Sequence, residues 1–240
     1  MIKEAIEYLM KLKHDPVVNV NERNYNVDIN GNMQHIKEPL QTSIQVKNLT
    51  GLIDYINYNP DGINITDQFI LIEDYHTVSL ISKPLEPWKE RIRYIQAVYD
   101  YPQIIFDDFV ELEKFIIMLK STFIETEELN ELVKSLSKVV DGNIKTNEDD
   151  GITQKVTVST GIDLKGYCYL KPIITLIPRR TFTEAEQPIG NYFFRIRKSK
   201  YEGIECALFV ADGGDWKNQA ISNIRDYLID HLPNDFIILA

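Results

Sequence analysis

Residues 107–142 read DDFVELEKFIIMLKSTFIETEELNELVKSLSKVVDG, and this run decides the fold class. Asp108 and Glu111 have the spacing of a capping box, in which the first side chain accepts from an early helix N–H and the second reaches back. Phe109, Leu112, Ile116 and Leu119 recur at steps of three and four residues, and Phe115 and Phe123 widen the stripe. Thr122 with Glu125, or Thr126 as cap, restarts the pattern. Leu129, Leu132, Val133, Leu136 and Val140 then form a second stripe, and Gly142 stands where a left-handed C-terminal residue is wanted. Two consecutive helices are expected.

Strand-like sequence lies on both sides. Before the run, residues 17–29 alternate weakly, Asn30-Gly31 signals a hairpin turn, and QFILIED, HTVSLISKPL and ERIRYIQAVYDY read as strands. Leu49–Tyr58 reads as a helix ended by Asn59-Pro60-Asp61-Gly62. After the run, ITQKVTVST alternates with period two, YCYLKPIITLIP is apolar and interrupted by Pro172, and NYFFRIRKS with GIECALFVA reads as a hairpin. Asp215 is the expected N-cap of a last helix with the stripe Trp216, Ala220, Ile224, Tyr227 and Leu228, and FIILA is a final strand. A short amphipathic helix is expected over MIKEAIEYLMKLK. The expected class is α+β: mixed, largely antiparallel sheets flanking a central pair of helices, with a C-terminal helix and final strand. With no clean linker, 1–240 reads as one composite domain, with sub-blocks 1–105 (β-rich), 106–142 (helical) and 143–240 (β-rich with a terminal helix).

Composition narrows the function classes. The chain has 240 residues, 44% of them hydrophobic, which suffices for a sizeable core. Its net charge of −10 argues against a general nucleic-acid binder, because counterion release needs clustered Lys and Arg. Between 107 and 150 stand 12 acids and 5 lysines, a balance of −7. Glu125, Glu127, Glu128 and Glu131 form the candidate acidic interaction face, read either as a docking or DNA-mimicking surface or as the solvated side of a core helix. No apolar run is long enough to span a membrane, and no signal peptide is expected, so the reading is cytoplasmic. On that reading the sequons at Asn48 and Asn64 carry no glycan. Cys168 and Cys206 read as buried thiols.

The motifs for catalysis are missing. His14, His35, His76 and His231 have no partner at metal-ligand spacing, and no P-loop, HExxH or GxSxG occurs. No catalytic residue, metal or cofactor is expected. Glu205, Asp212 and Asp215 are considered as a divalent-cation cluster, each with a bland role as cross-strand partner, turn former or cap. Arg179, Arg180, Arg195 and Arg197 form the candidate anion- or partner-binding set, with Lys198 and Lys200 near it. Arg195 and Arg197 share a strand face, and the bland reading is cross-strand pairing with acids such as Glu205. Arg91 and Arg93 alternate in the same way. The strand aromatics, Tyr75, Tyr94, Tyr99, Tyr101, Tyr167, Tyr169, Tyr192, Phe193 and Phe194, read as core or interface residues, with base stacking as the other option.

Three passages carry a resemblance. Leu49-Thr50-Gly51-Leu52-Ile53-Asp54-Tyr55-Ile56-Asn57 is similar to an early helix, Arg91–Tyr101 followed by Phe109–Leu119 to a strand leading into a "F-I" helix at Phe115-Ile116, and Phe194-Arg195-Ile196-Arg197 with Gly203 to an Arg-rich hairpin, of the YfdQ-like prophage protein family. Trp88 departs from the pattern by preceding the strand. The resemblance implies a bacteriophage or prophage product acting in the bacterial cell, and brings no catalytic residues. The resulting expectation is a non-enzymatic protein working by self-assembly or partner binding, a homo-oligomer or a binder of a host or phage protein. One version is a scaffold-like or shell-forming chain, by loose analogy with the element order of tailed-phage capsids and encapsulins. The alternatives are a nucleic-acid-handling protein of the early programme, acting through the arginines, and an inhibitor of a host defence protein, acting through the acidic helices.

Overall fold

The computed structural model describes residues 3, 17–21, 23–28, 31–36, 41–86, 89–140, 143–149, 154–160, 164–199, 203–233 and 236–240, with backbone only from 138 to 170. The chain divides into two compact units, 1–41 and 42–240. Most of the expected helix at the N-terminus, Asn30 of the expected hairpin turn and the helix end at Gly142 lie outside the described residues.

The N-terminal unit contains an antiparallel meander, β1 (Val17–Val20), β2 (Arg23–Val27) and β3 (Met33–His35), in the order β1-β2-β3. Its second turn is held by Asp28, which accepts from Asn32 N at 2.8 Å, with Gly31 at φ +84. Such a positive φ strains any residue with a Cβ.

The larger unit is α+β and has two sheet–helix lobes. In the first, α1 (Leu49–Tyr58) and α4 (Trp216–His231) pack on one face of a five-stranded sheet. That sheet is built from β4 (Ile44–Val46), β5 (Gln68–Asp74), β6 (Thr77–Ser82), β7 (Arg93–Val98) and β15 (Ile238–Leu239), ordered β15-β5-β6-β7-β4. Strands β5 to β7 form an antiparallel meander, whereas β15 on β5 and β4 on β7 run parallel. The pleat sends alternate residues to one side. Ile70, Ile72, Val78, Leu80, Ile95 and Ala97 therefore meet Leu49, Leu52, Ile53 and Ile56 of α1 and Ile224 and Leu228 of α4. On the other face, Glu73 collects Ser79 Oγ at 2.5 Å and Arg93 Nη2 at 3.0 Å. Arg91 lies over Phe69, 5.1 Å from its centroid, and donates to Ser82 O.

In the second lobe, α2 (Leu112–Thr122) and α3 (Glu127–Val140) pack on a four-stranded antiparallel sheet. Its strands are β12 (Ile173–Leu176), β13 (Gly190–Lys198), β14 (Ile204–Val210) and β8 (Val110–Glu111), in the order β12-β13-β14-β8. Phe115, Leu119, Leu132 and Leu136 pack against Ile174, Leu176, Tyr192, Phe194, Ile196, Cys206 and Leu208. A separate meander, β9 (Asn143–Asp149), β10 (Gln154–Thr160) and β11 (Leu164–Leu170), follows α3. No helix among the described residues is long and apolar enough to cross a membrane.

Three local expectations are corrected. The helix does not start at Asp108: Val110 and Glu111 instead pair with Cys206 and Glu205, so α2 begins at Leu112 with Glu111 at its N-cap position. Tertiary pairing overrides the local box, and Asp108 only accepts from the N–H of Phe109. Asp215 stands at the N-cap of α4 without a capping bond, because its backbone is already helical (φ −57, ψ −27) where a capping side chain needs an extended one, and Asp212 forms the turn before it, accepting from Gly214 N at 3.0 Å. Pro172 separates two strands rather than interrupting one. The Thr126 cap of α3 holds, accepting from Leu129 N at 3.2 Å.

Candidate functional site

The loop between β12 and β13, residues 177–189, crosses from the second lobe into the first. Phe182 and Ala185 lie buried in the first core. Gln187 knots the loop: its Oε1 accepts from Arg180 N and Thr181 N, and its Nε2 donates to the carbonyls of Thr181, Phe182 and Ala185. Thr181 Oγ1 donates to Tyr75 O at 2.6 Å, which ties the loop to the β5–β6 turn. Glu184 reaches the start of α1 and accepts from Leu49 N at 2.9 Å.

This knot fixes Arg180 at the seam of the two lobes. Adjacent residues of an extended segment point to opposite sides. Arg179 is exposed, and Arg180 is only 6% exposed. Its guanidinium carbon lies 4.3 Å from the Phe106 ring centroid, 4.4 Å from that of Trp216 and 5.6 Å from that of Tyr192. Aromatic faces on a desolvated guanidinium supply attraction of about 1–2 kcal/mol each. Burial lowers the affinity of Arg180 for its proton, opposed by Tyr192, Asp212, Tyr75 and Asp107. An arginine stays charged regardless.

Among the described residues the seam has no internal ion pair: Arg180 Nη1, the Tyr192 hydroxyl and Asp212 Oδ2 are all buried, and none has a hydrogen-bond partner there. Burial pushes the Tyr192 hydroxyl up to about 12. That hydroxyl lies against Gly190, where an added Cβ would stand 2.5 Å from its oxygen. Towards solvent the seam continues in Tyr75, Tyr101 and Lys217. Tyr75 makes an edge contact with Trp216 at 4.7 Å, and Lys217 Nζ lies 5.8 Å from the Tyr75 centroid.

The four arginines expected as one patch are therefore not one. Arg180 packs on the Tyr192 side of β13, and Arg195 and Arg197 belong to its opposite face. Beside a polar row in which Thr175 pairs with Asn191, that outer face has three more. Ile173, Phe193 and Phe209 pair across three strands, Arg195 pairs with Ala207, and Arg197 pairs with Glu205, itself opposite Glu111. Ile173 is 49% and Phe193 40% exposed. Arg197 Nε donates to Glu205 at 2.8 Å and its guanidinium lies 3.7 Å from the Phe109 centroid, while Phe109 meets Phe209 edge-on at 5.9 Å. The two arginines thus stand against two glutamates.

The acidic candidates sit on α3 and the turn before it. Glu127 and Glu128 occupy its first turn, where the helix dipole favours acids. Lys171 lies 3.8 Å from Glu128 and 3.7 Å from Glu131, and Glu125 accepts from Asn130 at 3.1 Å. Glu125, Glu127 and Glu131 are exposed. The Glu205, Asp212 and Asp215 cluster is not assembled: among the described residues no group of three or more His, Cys, Asp or Glu could hold a metal. Glu205 serves Arg197 and Ser199, and Asp212 serves its turn. Sequence reasoning missed Phe106, Glu184 and Gln187 as seam residues; the one available signal was an arginine doublet followed by a polar, Pro-containing connection. Cys206 is a free, buried thiol.

Compared with family models, curated proteins and solved structures, the chain matches none. The likeness to the YfdQ-like family rests on its three sequence passages alone.

Proposed function

We propose that this chain is a non-enzymatic bacteriophage or prophage protein that works by contact with other protein chains in the bacterial cell, foremost with further copies of itself. The prophage context follows the sequence resemblance. The observation that carries the contact reading is the outer face of β12–β14, where exposed Ile173 and Phe193 adjoin Phe209, Arg195 and Arg197. Aromatic residues and arginine are enriched at interface hot spots, and packed apolar rows on a sheet favour protein contact. The same chain displays Glu125 and Glu127 on an exposed helix start. An aromatic face edged by arginines and an acidic helix start on one chain suit a head-to-tail contact.

The nucleic-acid reading is weaker on this geometry. Glu205 and Glu111 lie in the same row as Arg197, so the face offers phosphates little net attraction. Size-exclusion chromatography with light scattering tests the proposal. We expect assembly at tens of micromolar chain and its loss in Phe193→Ser. A strict monomer at that concentration rejects self-assembly.

A further inference from the structure

We propose that Arg180, Tyr192 and Asp212 form a binding site for a small neutral ligand with an amide-type edge, an acceptor oxygen beside an N–H donor. Three buried polar atoms have no hydrogen-bond partner among the described residues: Arg180 Nη1, Tyr192 Oη and Asp212 Oδ2. The Arg180 guanidinium lies 5.6 Å from the Tyr192 ring and 4.4 Å from that of Trp216, the first residue of the helix that the Asp212 turn leads into, so the three groups belong to one neighbourhood. Arg180 is 6% and Tyr192 0% exposed, so bulk solvent does not serve them. Native proteins rarely leave such groups unpaired.

Their chemistry selects the ligand. Arg180 Nη1 only donates, ionised Asp212 only accepts, and Tyr192 does either. A carboxylate or sulfate would satisfy Arg180 and set its oxygens against Asp212 Oδ2. A cation would satisfy Asp212 and oppose Arg180. An uncharged group with a C=O next to an N–H satisfies both at once. The opposite charges of Arg180 and Asp212 also give an anion little net pull. Phe106 and Trp216 pack on the guanidinium at 4.3 and 4.4 Å and hold it in place. The turn holds Asp212 by its other oxygen: Oδ1 accepts from Gly214 N, and Gly213 and Gly214 both have positive φ, +62 and +94. The inference is independent of the outer sheet face and of any assembly.

The test is a pair of probes of equal size, acetamide and acetate, titrated into the full chain at constant ionic strength. Trp216 fluorescence in a Trp88→Phe background and the amide shift of Gly214 report occupancy. We expect saturable acetamide binding in the millimolar range and acetate at least about tenfold weaker, as expected for fragment-sized ligands. Asp212→Asn keeps the turn acceptor, adds an N–H donor and should reverse the preference towards acetate. Tyr192→Phe should weaken acetamide several-fold and leave the preference in place. No saturable response, equal binding of the two probes, or an unchanged preference in Asp212→Asn would overturn the proposal and leave the cluster a water-bridged packing element.

Discussion

Glu184 accepts a hydrogen bond from the N–H of Leu49 at 2.9 Å, across 135 positions of sequence. It also accepts from Thr50 N at 3.3 Å, while Asn48 Oδ1 accepts from Gly51 N at 2.9 Å. Two side chains thus serve the open N–H groups at the start of α1, one local and one brought by the loop after β12. The Thr of the Asn48 sequon is part of the same arrangement, since Thr50 Oγ1 also faces Glu184. Removing a capping acceptor costs about 1 kcal/mol, and a carboxylate at a helix N-terminus adds a few tenths.

We expect Glu184→Ala to lower stability by about 1–2 kcal/mol and Glu184→Gln by less than 1, because glutamine keeps the acceptor and loses the charge. Asn48→Ala should cost about 1 kcal/mol. The double mutant should be non-additive, since both residues serve one terminus. Urea midpoints at constant m-value measure all three. Additive losses would show that Glu184 acts only through its own loop.

Gly190 and Tyr192 make the second prediction. A Cβ at Gly190 would stand 2.5 Å from the Tyr192 hydroxyl and 2.8 Å from its Cζ. Overpacking of this kind costs about 1–3 kcal/mol. Gly190→Ala should therefore destabilise, and adding Tyr192→Phe should recover part of the loss by removing the nearer atom. Tyr192→Phe alone should be neutral or stabilising in the unliganded chain, because it deletes a buried hydroxyl with no protein partner. A loss of more than about 1 kcal/mol in Tyr192→Phe would mean that the hydroxyl is hydrogen-bonded in solution.

These residues also show what a sequence can and cannot disclose. Helix α1 was legible to the residue, because Asn48 caps it and Asn59, in the left-handed region at φ 44, ends it. The stripes of α3 and α4 and the β13–β14 hairpin were legible for the same local reasons. The start of α2 was not, because Val110 and Glu111 are held by a strand almost a hundred residues later. The seam was hidden for a related cause. Phe106, Arg180, Tyr192 and Trp216 come from four separate segments, and nothing in the doublet Arg179-Arg180 says which arginine turns inward. Only the loop knotted by Gln187 decides it.

Stability should fall in alkali, with a defined origin. In the unfolded chain the Cys206 thiol ionises near 9.0; buried in β14, it is pushed up to about 12. Between those values the unfolded chain has released a proton that the folded one retains. The contribution is thus fully present below about pH 9 and is lost as pH rises towards 12. Tyr192, also raised to about 12 by burial from an ordinary 10.0, steepens the upper part of the decline. Cys206→Ala should flatten the slope between about pH 8.5 and 10.5 whatever it does to stability at neutrality. Denaturant midpoints across that interval decide it, and an unchanged slope would place the loss in other groups.

The assembly reading makes a prediction that a folding defect cannot imitate. Arg195→Glu/Arg197→Glu removes the exposed pair of Arg197 with Glu205, its contact with the Phe109 ring and the bond from Arg195 to Phe194 O, and should cost about 1–3 kcal/mol, whereas Glu125→Lys/Glu127→Lys changes exposed positions and should cost no more than about 1. Each should nonetheless fail to assemble, because like charges then meet across the head-to-tail contact. Mixing the two restores opposite charges: the intact acidic helix of the first variant meets the intact arginine face of the second, and the two reversed surfaces suit each other. Equimolar mixing should therefore recover complexes that neither variant forms alone, and the recovery should weaken as salt rises, since exposed charges are screened within about 8–10 Å. Light scattering of the separate and mixed variants reads this directly. Wild-type-like assembly in either variant alone would remove the acidic helix and the arginine face as the contacting pair and leave the apolar row, Ile173, Phe193 and Phe209, as the surface through which copies meet.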